Sequence, residues 1–377
     1  MDEFKIPPIS TLAGSTLKNY LKILGTGKIA PRYYFKIALT TLIVLIATPF
    51  HFWEKLYFKK RLKNFEFKKP PLFILGHWRS GTTLLHNMLT KDPAAAYMTT
   101  YHALFPNNLA SKWLFKTFMK INMPDKRPSD GVKLDINFPQ EDEFSFSNCQ
   151  WNAYYNFFYF PKNYSEFYEK SVHHKNLGKE EIDLWYQSYD KLVKKSLIDT
   201  KGERAIFKNP VNTARIDKLL KLYPDAKFLY IYRNPITVFY STRRFFQQLY
   251  PTLWFHKVDN QFIDDLIFDV YKRLLDDYLK LKSLIPAENL MELRFEEFEQ
   301  NPVNELEKIY LDLLKEDFST VKQYFADYFK TQKSHKKNKY LVDVAEMDAI
   351  RKHWGKYIEM YNYDLPPDVT IKPNVVN

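Results

Sequence analysis

The sequence of 377 residues contains a single cysteine, Cys149. One cysteine cannot form an intramolecular disulfide, and it excludes metal clusters that are built from several cysteines. The cysteine content therefore does not require an oxidising compartment, and we expect a reducing, cytoplasmic setting. Internal repeats and low-complexity tracts are also lacking. Hydrophobic residues make up 45% of the chain, which excludes wholesale disorder.

The sequence also lacks an uninterrupted apolar run of the length that a membrane span needs, about 20 residues. The most apolar segment is Ile37 to Phe50, and a proline lies near its end. Between Glu54 and Lys69, seven basic and two acidic residues follow, together with an aromatic belt of Trp53, Tyr57 and Phe58. This order predicts a helix that attaches peripherally to an anionic leaflet rather than spanning it. The alternative is a core helix with a solvated basic face.

Basic residues outnumber acidic ones by 56 to 44, which gives a formal net charge of +12. A charge of this size favours an anionic partner. That partner could be nucleic acid, a phosphorylated small molecule or an acidic membrane surface, and charge alone does not choose among them.

After Lys69, short apolar runs alternate with helical patterns. Leu72 to Leu75 has the pattern of a buried strand, and Thr82 to Lys91 that of the helix after it. Three further runs precede a polar turn and a helical pattern, at residues 205–207, 228–232 and 290–293. Strand, crossover helix and strand are typical of a parallel sheet with both faces covered. We predict an α/β fold with a central parallel sheet flanked by helices, and aromatic-rich insertions at about residues 101–201 and 245–287.

The residues after each strand are the first candidates for a ligand site, since ligands bind at the carboxyl ends of such strands. The segment Gly76 to Thr83 (GHWRSGTT) has the glycine spacing of the phosphate-binding loop G-x-x-x-x-G-K-[ST], but Thr82 replaces the lysine. Gly81 lets the backbone approach an anion, and the next helix adds its positive dipole. Side chains that can complete the cradle are Arg79, Ser80, Thr82 and Thr83. The fold is thus P-loop-like, but the missing lysine and the lack of an obvious acidic magnesium ligand argue against an ATPase or GTPase.

A second polar constellation follows the predicted strand at 228–232. Arg233 comes directly after it, Pro235 suits the first turn of a helix, and Ser241 lies on a face that can look back towards Arg233. Arginine and serine can bind one phosphate together, although a lone arginine after a strand is more often an ion-pair partner. The sequence predicts a second anion site at the same edge of the sheet.

In this order, the motifs resemble the sulfotransferases that use 3′-phosphoadenosine 5′-phosphosulfate (PAPS), and more closely their bacterial branch. The resemblance rests on Gly76 to His86, Tyr232 to Pro235 and Ser241. Supporting matches are Pro139 to Phe144, Lys208 to Pro210, Arg294 to Phe298 with Asn301-Pro302, and His335 to Tyr340. The resemblance to this family does not extend to about the first 70 residues. We therefore predict a membrane-associating segment at residues 1–69 and a sulfotransferase domain at residues 70–377.

The resemblance implies roles for individual residues. The family's first loop grips the 5′-phosphosulfate, and it corresponds here to Arg79, Ser80, Gly81, Thr82, Thr83 and Leu84. The family's second arginine and serine grip the 3′-phosphate, and they correspond to Arg233 and Ser241. The lysine of better-known relatives that touches the bridging oxygen corresponds to Lys208. The expected co-substrate is PAPS, its product is 3′,5′-adenosine bisphosphate (PAP), and no metal is expected.

Sulfuryl transfer needs a base beside the acceptor and positive charge at the oxygen that leaves. Lys208 is the candidate cation, with Arg79 beside it. The bacterial branch often has a histidine shortly after this lysine, where this chain has Asn212. The cluster at residues 141–143 remains, because repulsion and partial burial can raise the pKa of a carboxyl group, although a helix N-terminus also favours acids. Candidate bases, in order of preference, are Glu141, Glu143 and His102.

We expect transfer of a sulfuryl group by in-line displacement to a hydroxyl, or to an amine, of a hydrophobic or lipid-like acceptor. Aromatic stretches at Trp151 to Phe160 and Phe245 to Phe255 predict a hydrophobic pocket, although carbohydrate stacking fits them nearly as well. Expected partners are a small-molecule or lipid acceptor and, through residues 37–69, the inner face of the membrane, with no nucleic acid. The alternatives are a kinase-like P-loop enzyme and a non-catalytic PAP-binding, membrane-associated protein.

Overall fold

The structure is a computed structural model that describes residues 7–123, 135–332 and 338–372. Its centre is a five-stranded sheet in the order β2-β3-β1-β4-β5, in which all neighbours are parallel. Its strands are β1 (Leu72–Leu75), β2 (Ala95–Ala96), β3 (Arg204–Lys208), β4 (Lys227–Tyr232) and β5 (Leu290–Arg294). A second parallel pair joins β6 (Tyr340–Val342) to β7 (Val369–Ile371). The predicted α/β fold with a central parallel sheet is confirmed.

Helices account for most of the remaining described residues. They are α1 (Leu17–Leu24), α2 (Tyr34–Lys63), α3 (Thr82–Leu89), α4 (Thr100–Leu104), α5 (Lys112–Asn122), α6 (Asp142–Ser147), α7 (Tyr164–Val172), α8 (Lys179–Thr200), α9 (Ile216–Leu222), α10 (Pro235–Leu253), α11 (Asn260–Leu281), α12 (Phe295–Gln300), α13 (Pro302–Lys308), α14 (Lys322–Gln332) and α15 (Val344–Met360). The segments between the predicted strands are thus largely helical. The supporting match at His335 to Tyr340 lies partly outside the described residues, which resume at residue 338.

The sheet separates two hydrophobic cores. Phe73 and Leu75 of β1 point into the larger core, whereas Leu72 and Ile74 point into the smaller one, as alternate residues of a strand must. The larger core takes most of the aromatic stretch at residues 151–160. The carboxyl ends of β1, β3 and β4 therefore meet at one edge with packed layers on both sides, which fixes the loops that follow them.

The N-terminal segment belongs to the same fold. Leu12, Tyr20 and Val44 are fully buried in the larger core. Helix α2 runs through Pro49 to Lys63, so it extends well beyond the predicted apolar run. Among the described residues it is the one helix long and apolar enough to cross a membrane, with 33% of its most apolar stretch buried. The division at residues 69 and 70 stays a prediction, but because the core is shared we do not expect the first part to fold separately.

Candidate active site

The loop between β1 and α3 has the backbone conformations of a close-approach site. Gly76 (φ 134°) and Gly81 (φ 97°) have positive φ, and so does Arg79 (φ 68°), which is uncommon for a residue with a side chain. A Cβ atom on Gly76 would lie 2.3 Å from the carbonyl oxygen of Ile231, and one on Gly81 would lie 2.1 Å from the ring of Phe295. Both positions therefore require glycine.

The first turn of α3 carries the backbone amides that the sequence analysis assigned to an anion site. Its N-cap residue, Gly81, has no side chain that could accept from these amides, and the first N–H groups of a helix have no partner within the helix. Thr82, Thr83 and Leu84 belong to this turn. The side chain of Leu84 packs against the smaller core, so Leu84 can contribute only its backbone. The amide of Ser80 instead closes the loop by donating to the carbonyl oxygen of His77 at 3.2 Å.

The two predicted anion sites meet in the structure. Nε of Arg79 donates to Oγ of Ser241 at 2.9 Å, and Nη1 of Arg233 donates to the carbonyl oxygen of Arg79 at 3.3 Å. The guanidinium carbon of Arg233 lies 4.4 Å from the ring centroid of Phe295, and that of Arg79 lies 5.7 Å from Phe245. The motif after β4 thus contacts the loop after β1, as expected for two parallel strands of one sheet.

The segment Arg294 to Phe298, a supporting match in the sequence, braces this junction. Oε1 of Glu296 accepts from the amide of Asn234 at 3.0 Å, and Oε2 accepts from the hydroxyl of Tyr363 at 2.8 Å. The side chain of Asn234 caps α10 by accepting from the amide of Ile236 at 3.0 Å. These contacts fix the turn that carries Arg233.

Lys208 and Glu141 form an ion pair beside the loop. Nζ of Lys208 donates to Oε1 of Glu141 and lies 3.4 Å from Oγ1 of Thr83. The other oxygen of Glu141 accepts from the hydroxyl of Tyr155, which itself accepts from Nε1 of Trp78 at 2.9 Å. Burial and the nearby carboxylate hold the pKa of Tyr155 well above its usual range, so this hydroxyl remains a donor. Tyr155 and Trp78 were not predicted as site residues.

Glu143, the second candidate base, lies elsewhere. It is fully buried, and Arg215 binds its two oxygens at 2.6 and 3.0 Å. Nδ2 of Asn209 adds a hydrogen bond of 2.8 Å. Glu143 therefore ties α6 to the start of α9 and is not directed at the loop.

Both ring nitrogens of His102, the third candidate base, have partners within the fold. Its Nδ1 accepts from the amide of Thr99 at 3.1 Å, which completes a capping box for α4, and its Nε2 lies 2.9 Å from Oδ2 of Asp199. Burial lowers the pKa of His102. The structure does not bring this ring to the loop.

Asp142, between Glu141 and Glu143 in the sequence, is fully buried. Burial raises the pKa of Asp142 to about 7, and the hydroxyl of Tyr189 donates to its Oδ2 at 2.6 Å. Nδ2 of Asn212 donates to the same Tyr189 hydroxyl at 2.9 Å. Helix α6 begins at Asp142 with Glu141 as its N-cap residue, so all three acids lie at a helix N-terminus, as the alternative interpretation has it. The side chain of Glu141 makes no cap hydrogen bond, however, and instead accepts from Lys208.

A cavity of about 320 Å³ adjoins the ion pair. Its polar lining includes five predicted site residues: Arg79, Thr82, Thr83, Glu141 and Lys208. Its apolar lining comes from four N-terminal residues (Pro7, Pro8, Ile9 and Ala13), from α4, α5 and the last turns of α10, and from Trp78 and Phe144. The stretch at 245–255 thus contributes to the cavity through Phe245, Leu249 and Leu253, whereas the stretch at 151–160 is mainly core. Within the described residues, no group of three or more His, Cys, Asp or Glu side chains could hold a metal ion.

Comparison with known proteins agrees with this geometry. A model of the sulfotransferase family matches residues 70–320, more than half of the chain, and the chain therefore belongs to the sulfotransferase family. It is 29% identical over 354 residues to omega-hydroxy-beta-dihydromenaquinone-9 sulfotransferase Stf3 of Mycobacterium bovis and of Mycobacterium tuberculosis, covering 91% of this chain and 88% of each relative. The resemblance predicted from the motifs, including its bacterial-type branch, is confirmed.

Two solved structures share the fold. Sulfotransferase STF9 from Mycobacterium avium aligns with a TM-score of 0.65 at 14% identity, covering 97% of this chain and 99% of that one. Sulfotransferase STF1 from Mycobacterium tuberculosis aligns with a TM-score of 0.61 at 16% identity, covering 82% and 87%. At such identities the likeness concerns the fold alone.

Proposed function

We propose that this sulfotransferase uses PAPS and transfers its sulfuryl group to a hydroxyl of a lipid-like acceptor. The observation that carries the proposal is the position of the Lys208–Glu141 pair, which lines both a P-loop-like anion cradle and a largely apolar cavity. The name of the mycobacterial relative specifies a hydroxylated menaquinone, which is a hydroxyl on an apolar molecule. That chemistry suits the cavity of this chain.

The residues present fit PAPS. The positive-φ loop and the first-turn amides of α3 suit the 5′-phosphosulfate, and Arg79 adds a charge-assisted donor. Arg233 and Ser241 suit the 3′-phosphate at the same sheet edge. When bound, PAPS supplies the sulfuryl group and the PAP leaving group.

The ion pair divides the work of transfer. Glu141 is placed to take the proton of the acceptor hydroxyl as that oxygen bonds to sulfur. Lys208 is placed to stabilise the negative charge that develops as the sulfur–oxygen bond to the phosphate breaks. Tyr155 holds the second carboxylate oxygen, so that the first remains directed at Lys208. The proposal includes in-line displacement, with the acceptor oxygen opposite the oxygen that leaves.

Nucleotide affinity and product mass test the proposal together. Calorimetry should show that PAP binds better than ATP with magnesium, and mass spectrometry should detect sulfate on a long-chain alcohol supplied with PAPS. Arg79→Ala and Arg233→Ala should each weaken PAP binding by roughly 1.5 to 3 kcal/mol, the usual worth of a hydrogen bond to a charged group. Arg244→Ala is the matched control. Arg244 lies on the same helix as Ser241, but it is at the surface, where it donates to the side chain of Asn338.

Two outcomes would contradict the proposal. Tighter binding of ATP with magnesium, followed by phosphate transfer, would indicate a kinase-like enzyme. PAP binding without transfer to any hydroxyl or amine acceptor would indicate a nucleotide-binding protein that is not a catalyst.

A further inference from the structure

Helix α2 exposes a long apolar face. Its side chains that are 50–72% exposed include Phe35, Leu42, Leu45, Ile46, Phe52 and Trp53. Between Tyr34 and Trp53 the sequence has one lysine, Lys36, and no arginine or acidic residue. Lys36 is buried, and its Nζ donates to the carbonyl oxygen of Thr252 at 2.6 Å. Twenty helical residues extend for about 30 Å. Soluble monomers rarely expose an apolar surface of this extent.

Helix α5 continues this surface. It packs on α2 through the rings of Phe115 and Phe50, whose centroids are 5.4 Å apart. On its outer side Trp113 is 74% exposed and Ile121 is 78% exposed. We call the exposed apolar side chains of α2 and α5 the docking face.

Positive charge borders the docking face. Lys28 and Arg32 precede the apolar part of α2, and exposed basic residues follow it at Lys55, Lys59, Lys60, Arg61 and Lys63. The only acidic residue from Lys28 to Lys63 is Glu54, which is buried in an ion pair with Lys195 of α8. An apolar strip with basic ends complements a bilayer that contains anionic lipids.

The inner side of α2 is attached to the fold. Besides the Glu54–Lys195 pair, Oγ1 of Thr40 accepts from the amide of Ser10 at 2.9 Å. Crossing a bilayer would detach α2 from these partners and place a buried charge in lipid. The helix can instead lie in the plane of the interface with only its outer face among the lipids.

The same contacts connect the docking face to the cavity. Ser10 and Met119 both line the cavity, and the N-terminal turn and α5 that carry them both pack on α2. Ile121 immediately precedes Asn122 and Met123, which also line the cavity. We propose that α2 and α5 dock on the cytoplasmic face of an anionic bilayer, so that an apolar acceptor enters the cavity from the lipid. Entry of the acceptor rests on the proposed function, whereas docking does not.

Vesicle binding by the full chain tests the docking face without any chemistry. The wild type should cosediment with phosphatidylcholine vesicles that contain phosphatidylglycerol, and less with phosphatidylcholine alone or at high salt. Leu45→Glu and Trp113→Glu should each lower partitioning at least about tenfold, because a charge replaces an inserted apolar group. Leu284→Glu is the control, since Leu284 is similarly exposed but lies in the turn after α11.

Equal partitioning of all four proteins, or none by the wild type, would overturn the docking face. So would concentration-dependent dimerisation that Leu45→Glu abolishes while vesicle binding stays unchanged, since the face would then bind a second copy. Quenching of Trp53 and Trp113 fluorescence by brominated lipid chains should accompany binding, and its loss in the double variant Trp53→Phe/Trp113→Phe checks which residues insert.

Activity separates the two proposals. Leu45→Glu should keep wild-type turnover on a short, water-soluble alcohol and lose it on a long-chain alcohol in vesicles. Equal loss on both acceptors would overturn entry from the lipid. A wild type that binds vesicles but sulfates neither acceptor would overturn the proposed function and leave the docking face standing.

Discussion

Glu141 accepts a hydrogen bond from Lys208, and the two side chains are only 14% and 5% exposed. The candidate base and the candidate cation are therefore one unit, held by Thr83 on the lysine side and by Tyr155 on the carboxylate side. Neither residue is part of the anion loop. Substitutions in the pair should thus affect chemistry more than nucleotide binding.

Glu141→Gln and Lys208→Ala should each lower turnover by roughly 100-fold or more, the usual cost of losing a general base or a transition-state charge. PAP affinity should stay close to that of the wild type, because the loop is intact. Single-turnover kinetics and calorimetry on the same preparations measure both quantities. A large loss of PAP affinity with unchanged turnover of the bound complex would assign the pair to nucleotide binding.

Glu143→Gln provides a contrast from the same cluster. Removing one member of the fully buried pair with Arg215 should destabilise the protein by about 3 to 5 kcal/mol, because the guanidinium is left buried without its partner. Denaturant unfolding measures this loss. If Glu143→Gln instead keeps its stability and loses turnover, the base has been assigned to the wrong carboxylate.

Tyr155→Phe should lower turnover by about tenfold, in line with the loss of one hydrogen bond to a charged group. Its neighbour Tyr154 offers a matched control, because the Tyr154 hydroxyl is buried and makes no hydrogen bond with the described residues. Tyr154→Phe should leave turnover and stability near those of the wild type. Equal effects of both substitutions would show that the loss does not come from the hydrogen bond to Glu141.

Asp142 should make stability depend on pH. Burial raises its pKa to about 7 in the folded protein from an ordinary value of 3.8, so the folded state holds the proton more tightly. This contribution to stability is fully present below pH 3.8 and is lost as pH rises towards 7, by up to about 1.4 kcal/mol per pH unit. Relative to Asp142→Asn, the wild type should therefore lose stability between pH 4 and pH 7.

Urea unfolding of the wild type and Asp142→Asn across this pH range measures the difference. Asp183→Asn replaces an exposed acid on α8 and keeps Asp142, so its stability should follow that of the wild type across this range. A constant difference between the wild type and Asp142→Asn would mean that Asp142 is ionised throughout.

Deletion of residues 1–69 should prevent cooperative folding. It removes Leu12, Tyr20 and Val44 from the larger core and residues 7–13 from the wall of the cavity. Circular dichroism melting and PAP binding of the truncated chain measure the result. A truncated protein that melts cooperatively and binds PAP would support the division at residues 69 and 70.

Patterns of neighbouring residues in the sequence correctly predicted the first strand and the glycine loop that follows it. The apolar run at Leu72 to Leu75 and the glycines after it are close in sequence, and both were found in place. The meeting of the motifs after β1 and β4 at one edge was also predictable, because parallel strands end at a shared edge. The contact of Ser241 with Arg79 was not, since Ser241 was expected to face Arg233. The extension of α2 beyond Pro49 was not predictable from the local sequence. Val44 before the proline and Phe58 after it are both buried, and their packing outweighs the local cost of proline in a helix.

Partners distant in sequence decided the roles within the acidic cluster. Glu141, Asp142 and Glu143 look alike in sequence, but Lys208, Tyr189 and Arg215 each select one of them. These partners lie 47 to 72 residues away along the chain, and only the fold sets the direction of each carboxylate. No local pattern could have ranked the three acids.

The chain of contacts from Ser241 through Arg79 to Arg233 has a thermodynamic consequence. Ser241 holds the guanidinium of Arg79, and the backbone carbonyl of Arg79 holds that of Arg233, so under the proposed function one connected element would bind both ends of one nucleotide. The free-energy losses of Arg79→Ala and Arg233→Ala should therefore not add. A double-mutant cycle on PAP affinity should give an interaction free energy of about 0.5 to 3 kcal/mol, the range for residues in direct contact.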